Sequence, residues 1–362
     1  MSRSLLPPDD GPARLRALRA HLAMRARAPG SASPGEVLQA LVDADLANLP
    51  LPGQGATLQR WRMLAAVASH DLSLAKLFEG HTDAHAILAE LGAPTPAAGS
   101  TWGVWCAEAP DARLHASAPS PDGTVTLHGL KAWCSGAASL SHALVSAWND
   151  AGEAILAAVA LDQPGVAVSD QGWQAVGMAA TASVDVRFNA ARGVQIGAKG
   201  DYVARPGFWH GGAGIAACWY GAAAALGEVL RAACRDKAER AADGPGTPDE
   251  GTLHRRAHLG TVDVALSSAA AVLHDAAAWI DAHPERNARL VALRARLVAE
   301  DAATHVLHAV PRALGAAPLC RDAHIAHLVA DLPVFMRQSH AERDQATLGT
   351  DLMMLEETPW PL

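Results

Sequence analysis

The spacing of apolar residues divides the chain into three blocks, of which the first is helical. In residues 1–98 apolar positions recur three or four residues apart, as in Val37, Leu38 and Leu41, which is the period of an amphipathic helix. Proline and glycine interrupt the pattern at residues 50–55, after which helical spacing resumes. We therefore predict an N-terminal α-helical domain over residues 1–98.

The pattern changes to alternation in the second block. Val125 and Leu127 alternate with polar residues after a Pro-Asp-Gly turn, which is typical of a half-buried strand. Two apolar runs, residues 144–148 and 154–161, flank the sequence Asn-Asp-Ala-Gly and predict a β-hairpin. Short strands at this spacing favour an antiparallel β-sandwich or barrel, so we predict a middle β domain over residues 99–203.

Helical spacing returns in the third block, residues 204–362. One long helix is predicted by apolar positions three or four residues apart, namely Val262, Leu266, Ala269, Leu273, Ala276 and Ile280. A last helix is predicted over residues 325–348, interrupted near Pro333. The abundance of alanine favours close helix packing, so we predict a C-terminal four-helix bundle and an α+β fold class for the whole chain.

Composition excludes several classes of protein. Half of the 362 residues are hydrophobic and 18% are charged, which is incompatible with disorder of the whole chain. The net charge of −8 argues against a general nucleic-acid binder. No long apolar run lacks a charge or a helix breaker, so we expect no membrane span. The five cysteines form no Cys-x-x-Cys pair, which indicates a reducing compartment, and the cytoplasm is the expected location.

Common chemical motifs are missing from the sequence. It contains no dinucleotide-binding Gly-x-Gly-x-x-Gly after a strand, no phosphate-binding loop and no nucleophile elbow. Histidines three or four residues apart could share a helical face and bind a metal, and they occur at His81/His85, His254/His258, His305/His308 and His324/His327. With 17 histidines such spacings arise by chance, and no further ligands accompany them, so we expect no metal site.

Four segments, in chain order, match the sequence pattern of one known protein family. Residues 105–110 read Trp-Cys-Ala-Glu-Ala-Pro, and residues 127–137 contain Gly-Leu-Lys-Ala-Trp-Cys-Ser-Gly. Residues 173–188 contain Gly-Met and then Ser-Val-Asp-Val-Arg-Phe, and residues 321–323 read Arg-Asp-Ala. With these segments the chain resembles a divergent member of the acyl-CoA dehydrogenase superfamily of flavoproteins, and the resemblance covers about residues 60–350.

The resemblance implies FAD as the cofactor and a hydride transfer to flavin N5. Trp133 would stack near the isoalloxazine ring, with Cys134 beside it, and the hydroxyl or backbone N–H of Ser135 would donate towards N5. The segment Trp105, Ala107 and Glu108 would line the pyrimidine side of the ring. Arg240 would contact the dinucleotide. The implied reaction is α,β-dehydrogenation of an acyl-CoA or related thioester, with an electron-transfer partner or flavin reductase and a homo-oligomeric assembly.

Three departures from the family pattern bear on the reaction. Glu108 replaces a threonine, and a carboxylate there disfavours an anionic reduced flavin unless it turns away or is neutralised. The segment that holds the adenine has no good counterpart near residues 309–315. The glutamate that removes the α-proton falls near Ala330, so that Asp331 is the candidate base, with a helix cap or a salt bridge as its structural alternative.

Three hypotheses therefore remain open. The first is an FAD-dependent acyl-CoA dehydrogenase with Asp331 as the base. The second is a flavin-dependent monooxygenase of the same fold, which receives reduced flavin from a reductase and needs no base. The third is a non-catalytic relative. Arg337, His340 and Asp344 are spaced for one helical face and could meet an anionic ligand, although a solvated charged face explains them as well.

Overall fold

The computed structural model describes residues 11–24, 32–242 and 250–360, with the backbone alone given for residues 237–242 and 250. Its elements follow one another as helices, strands and helices, which confirms the predicted α+β class. The first helices are α1 (Gly11–Ala23), α2 (Pro34–Asp43), α3 (Thr57–His70) and α4 (Leu72–Glu90). Helix α2 begins with a capping box, in which Ser33 and Glu36 each accept a hydrogen bond from the other's backbone N–H.

Seven strands follow the first helices, and the structure describes them as a single sheet. They are β1 (Trp102–Trp105), β2 (Leu114–Ala116), β3 (Thr124–Cys134), β4 (His142–Trp148), β5 (Ala154–Ala160), β6 (Val166–Val168) and β7 (Val184–Ile196). The predicted hairpin is confirmed, since β4 and β5 pair antiparallel with Trp148 opposite Ala154. Its turn is held by Asn149, whose side-chain oxygen accepts from the backbone N–H groups of Ala151 and Glu153 at 3.0 and 2.9 Å.

The sheet closes into a small barrel. Strands β4, β2, β3, β7 and β5 pair in that order, and β5 then pairs with β4 again. Of the two alternatives, sandwich and barrel, the structure therefore contains the barrel. Strands β1 and β2 run parallel to β4, which the prediction of an antiparallel domain did not include. Parallel neighbours need long connections, and the chain reaches β4 only after passing through the intervening strands.

Helix α4 packs against the barrel. Ala84, Ile87 and Leu88 of this helix form one buried cluster with four residues of the strands, Trp102, Leu144, Leu156 and Ile196. The cluster packs β1, which ends at Trp105, against this helix.

The remaining helices are α5 (Asp201–Ala204), α6 (Gly207–Ala242), α7 (Glu250–Ala282), α8 (Arg289–Leu314), α9 (Ala316–Arg321), α10 (Ala323–Met336) and α11 (Glu342–Met353). The predicted long helix is α7, and the stripe that predicted it is its buried side, with Val262 and Ile280 at most 1% exposed. Helix α10 continues three residues beyond Pro333, so the predicted interruption falls at Met336 instead.

Chain contacts divide the molecule into two compact units. The first contains Met1–Pro52 and Ser73–Phe208, and the second contains Gly53–Leu72 and Trp209–Leu362. Within the second unit, Asp281 of α7 ties down the start of α3 by accepting from the backbone N–H and the hydroxyl of Thr57 at 3.0 and 2.6 Å. The three domains with limits at residues 98 and 203 stay a prediction, because these units follow spatial contacts rather than chain order.

One helix within the described part of the chain is long and apolar enough to cross a membrane. It covers Gly207–Asp236, with a mean hydropathy of 1.4, and 72% of its apolar window is buried inside the protein. Burial against neighbouring helices accounts for that composition, as in the core helices of helix bundles.

Candidate functional site

Two of the predicted flavin segments meet at one end of the barrel. Residues 105–108 leave β1, and residues 133–135 lie at the end of β3. The indole Nε1 of Trp105 donates to the carbonyl of Ser135 at 3.2 Å, and the ammonium of Lys131 donates to Glu108 at 2.8 Å. We call residues 105–108 and 133–135 the strand-end site.

Trp133 is the exposed aromatic residue of the strand-end site. Its backbone is left-handed, with φ of 59°, at the point where the β3–β7 register is irregular. A non-glycine residue in that region costs about 1 kcal/mol, so the surrounding structure has to hold it there. The side chain is nevertheless 48% exposed. A large flat ring is thus presented at the surface rather than packed into the core.

The hydroxyl of Ser135 begins a chain of hydrogen bonds that runs into the protein. Its Oγ lies 2.7 Å from Ser183 Oγ, which lies 2.8 Å from Thr181 Oγ1. Thr181 Oγ1 in turn donates to the carbonyl of Met178 at 2.8 Å. The backbone N–H of Ser135 donates to the carbonyl of Trp133 at 3.0 Å. The backbone donor of Ser135 is therefore used within the protein and its hydroxyl shares a hydrogen bond with Ser183, although the residue was expected to donate towards a cofactor.

Trp105 is a buried residue that holds the backbone of Ser135 in place. Its side chain is 3% exposed, so its ring is an interior prop for Ser135 rather than part of an open surface. Gly103 provides the room for this ring, because a Cβ there would lie 2.8 Å from the indole Nε1 of Trp105. Ala107 and Glu108, in contrast, are exposed.

Glu108 is neutralised by a buried lysine. The ammonium of Lys131, whose side chain is 1% exposed, donates to Glu108 Oε1 at 2.8 Å and to Ser146 Oγ at 2.7 Å. Ser146 and the indole of Trp148 also donate to the carboxylate, and the Arg113 guanidinium lies 4.2 Å from the centre of the Trp148 ring. The carboxylate is thus held by three donors rather than directed at a ligand.

The same contacts set the protonation state of Glu108. Desolvation is the largest single influence and raises the pKa of this carboxyl. Hydrogen bonds from Lys131, Ser146 and Trp148, together with the charge of Lys131, outweigh it, so the pKa of Glu108 lies below its ordinary value. Glu108 is therefore a carboxylate at neutral pH, and its ion pair with Lys131 answers the concern raised by the replacement of threonine.

Burial disfavours the thiolate form of the two cysteines near the site. Burial raises the pKa of Cys106 to about 11 and also raises the pKa of Cys134 above its ordinary value. Cys134 is fully buried, and its thiol donates to the carbonyl of Lys131 at 3.2 Å. The cofactor contact predicted for Cys134 stays a prediction.

The other predicted site residues, Asp331 and Arg240, belong to the second unit. Asp331 lies in the interior of α10 in the second unit and is 3% exposed. The capping role considered for it belongs to Asp322, whose side chain accepts from the backbone N–H of Ile325 at 3.1 Å. Arg240 lies outside the described side chains. The roles of Asp331 and Arg240 stay predictions.

The expected helical face of Arg337, His340 and Asp344 was wrong. Helix α10 ends at Met336 and α11 begins at Glu342, so the three residues do not share a helix. Arg337 instead forms an ion pair with Glu300. The structure also places no group of three or more histidine, cysteine or acidic residues for a metal ion in the stretches that it describes.

Sequence reasoning gave no role to Lys131, Ser183 or Thr181. For Lys131 a signal existed, because the alternation of buried Val125 and Leu127 puts residue 131 on the inward face of β3. For Ser183 and Thr181 no comparable signal existed. The contact of Ser183 with Ser135 depends on a return of the chain 48 residues later, and Thr181 is linked to Ser135 only through Ser183.

Comparison with known proteins identifies the fold. No protein-family model matches the chain, and no curated protein matches its sequence. The dibenzothiophene monooxygenase TdsC from Paenibacillus sp. A11-2 is similar over 98% of both chains, with a TM-score of 0.76 at 20% identity. It has also been crystallised with FMN, and with FMN and indole.

Two further structures have the same fold. A nitrososynthase from Micromonospora carbonacea var. africana covers 98% of this chain and 99% of its own, with a TM-score of 0.73 at 19% identity. The butyryl-CoA dehydrogenase from Megasphaera elsdenii covers 98% and 100%, with a TM-score of 0.73 at 15% identity. The acyl-CoA dehydrogenase fold is therefore confirmed, and its known examples carry out different reactions.

Proposed function

We propose that this chain is a flavin-dependent monooxygenase that binds reduced FMN at the strand-end site. The observation that carries the proposal is Trp133, a ring 48% exposed and held in a left-handed backbone conformation directly beside Ser135. Strain of this kind persists where the surrounding structure enforces it, and it is concentrated at ligand sites. The fold supports the proposal, because TdsC shares it and binds FMN.

The residues of the strand-end site fit an isoalloxazine ring. The indole of Trp133 offers a flat surface for stacking, and Ser135 offers a polar atom at its edge. Glu108 is compensated by Lys131, so the site adds no net negative charge to oppose a reduced flavin. FAD, the cofactor expected from the family, has the same ring system, and the choice of FMN rests on the solved complex of TdsC.

The type of reaction follows from what this chain's residues offer the substrate. A reduced flavin, when bound, supplies two electrons and two protons, with which O2 gives one oxygen atom to the substrate and one molecule of water. The chain then has to orient the ring and exclude water, and no carboxylate base is needed.

Oxygen transfer to an aromatic heterocycle tests the proposal. The purified chain would be supplied with FMN, NADH, a separate flavin reductase, isotopically labelled O2 and indole as the probe substrate. We expect an oxygenated indole that contains one labelled atom, formed only with the chain present. Trp133→Ala should abolish that product while the reductase continues to consume NADH. Product formation unaffected by Trp133→Ala would contradict the proposed site.

The acyl-CoA dehydrogenase activity is the second candidate, favoured by the similarity to butyryl-CoA dehydrogenase along its entire length. It requires Asp331 to take a proton from the acyl chain as hydride goes to flavin. Anaerobic addition of butyryl-CoA to the flavin-loaded protein distinguishes the two. If butyryl-CoA bleaches the flavin absorbance of the unmodified chain but not that of Asp331→Asn, the dehydrogenase candidate would replace the monooxygenase.

A further inference from the structure

The hydroxyl groups of Ser135, Ser183 and Thr181 form a chain of hydrogen bonds with a fixed donor-to-acceptor direction. The direction is fixed because the chain of hydrogen bonds ends on a carbonyl oxygen, which cannot donate. The carbonyl of Met178 accepts from Thr181 Oγ1 at 2.8 Å, and it also accepts from the Thr181 backbone N–H and from the indole of Trp173, both at 3.1 Å. A carbonyl has no proton, so the hydrogen of the Thr181 hydroxyl must point to Met178.

The positions of the hydroxyl hydrogens of Ser183 and Ser135 follow from that of Thr181. Since Thr181 has used its hydroxyl hydrogen, the 2.8 Å contact between Thr181 and Ser183 requires Ser183 to donate. Ser183 has then used its own hydrogen, so the 2.7 Å contact with Ser135 requires Ser135 to donate. Any reversed step would set two lone pairs against each other at hydrogen-bond distance. The positions left on the Ser135 oxygen are therefore lone pairs only, and the residue is partly exposed.

The chain of hydroxyls is shielded and firmly held. Thr181 and Ser183 are 1% and 5% exposed, so bulk water does not offer alternative partners. The segment around them contains two non-glycine residues with left-handed backbones, Met178 at φ 60° and Ala182 at φ 41°. The carbonyl of Thr181 also accepts from the backbone N–H of Gly136 at 2.8 Å, next to Ser135. The backbone of this segment therefore holds the hydroxyl groups in the positions that fix the direction of their hydrogen bonds.

This direction matters because flavin N5 changes its hydrogen-bonding character on reduction. In the oxidised ring N5 is an acceptor, whereas in the reduced ring it carries a hydrogen and is a donor. An oxygen with lone pairs only complements the reduced ring and opposes the oxidised one. We infer that Thr181 and Ser183 are positioning residues that make the strand-end site selective for reduced over oxidised flavin by holding Ser135 as an acceptor. The inference rests on the proposed function, which places flavin at Ser135.

The ratio of the dissociation constants for oxidised and reduced FMN measures this selectivity without any turnover. Both constants would be obtained by anaerobic titration, with FMN photoreduced for the second. In Ser183→Ala and Thr181→Val the Ser135 hydrogen is released and can point outward. We expect either change to lower the ratio by about threefold to tenfold, the value of one hydrogen bond.

Thr181→Ser is the matched control, because it keeps the hydroxyl and should keep the ratio of the unmodified chain. Either of the two disruptive variants suffices if the other does not fold, which far-ultraviolet circular dichroism will show. Ratios equal to that of the unmodified chain in a folded Ser183→Ala or Thr181→Val variant would overturn the inference while leaving flavin binding intact. Failure of the unmodified chain to bind either form of FMN would overturn the proposed function together with the inference.

Discussion

At the scale of single residues, the buried side chain of Lys131 compensates the charge of Glu108, which the sequence alone does not reveal. The glutamate alone looks unfavourable next to a reduced flavin. Its partner is almost completely buried and its own side chain is 39% exposed, so the two members do not depend on each other equally. Lys131 needs the carboxylate to compensate its buried charge, whereas Glu108 retains partial access to water.

This asymmetry predicts unequal effects of the two single substitutions. Glu108→Gln leaves a buried ammonium without its counter-ion and should lower the free energy of unfolding by about 3 kcal/mol. Lys131→Met leaves a half-exposed carboxylate and should cost less, and the double variant should recover part of the loss. Urea denaturation of the three variants measures the values. Equal losses in both single variants would contradict the burial argument.

The pH dependence of stability checks the same pair. Because the pKa of Glu108 is lowered in the folded state, its contribution is complete above its ordinary value of 4.5 and is lost as the pH falls through the lowered value. The unmodified chain should therefore lose more stability than Lys131→Met when the pH is lowered from 6 to about 3. Parallel stability curves for the two proteins in that range would contradict the assignment.

Trp133 combines a cost in backbone energy with a gain in binding surface, and two substitutions separate these effects. Trp133→Gly and Trp133→Ala both remove the ring, but only glycine adopts φ of 59° without strain. Both should lose flavin binding, while the glycine variant should be more stable than the alanine variant by about 1 kcal/mol. Thermal unfolding with a parallel FMN titration measures both. A glycine variant no more stable than alanine would contradict the strain at this position.

At the scale of elements, periodicity predicted the helices and strands well because each buries one face. The stripe from Val262 to Ile280 and the β4–β5 hairpin are examples. Periodicity could not predict the parallel pairing of β1 with β4 or the irregular register at Trp133, since both depend on distant parts of the chain. Family resemblance predicted the candidate site at Trp133 and Ser135. The hydrogen bond with Ser183 that supports it could not be predicted, because no local pattern indicates it.

Close packing of α6 on α3 gives a test at this scale. A Cβ on Gly221 would lie 2.3 Å from the carbonyl oxygen of Ala65, whereas a Cβ on Gly260 of α7 meets nothing within 4 Å. Gly221→Ala should therefore lower the free energy of unfolding by about 2 kcal/mol. Gly260→Ala, the matched helical control, should raise it by about 0.5 to 1 kcal/mol. Chemical denaturation of both variants measures the two changes in the free energy of unfolding. Changes of the same sign in both variants would show that α6 does not approach α3 this closely.

At the scale of the whole molecule, the fold and the reaction are determined by different residues. TdsC and butyryl-CoA dehydrogenase share this fold at 20% and 15% identity, because a fold tolerates exchange of most apolar residues. The order of helices, strands and helices was therefore predictable from the sequence. In the proposed function the reaction depends on a few polar atoms, such as the oxygen of Ser135, and the direction of its hydrogen bond follows only from three-dimensional contacts.

Equilibrium titration of the purified chain with FMN tests the central claim most directly. Reduced and oxidised FMN would be titrated anaerobically into the unmodified chain and into Trp133→Ala. We predict saturable binding of reduced FMN to the unmodified chain, weaker binding of oxidised FMN, and loss of both in the variant. Absence of binding in the unmodified chain, or equal binding in Trp133→Ala, would contradict a flavin site at the end of the barrel.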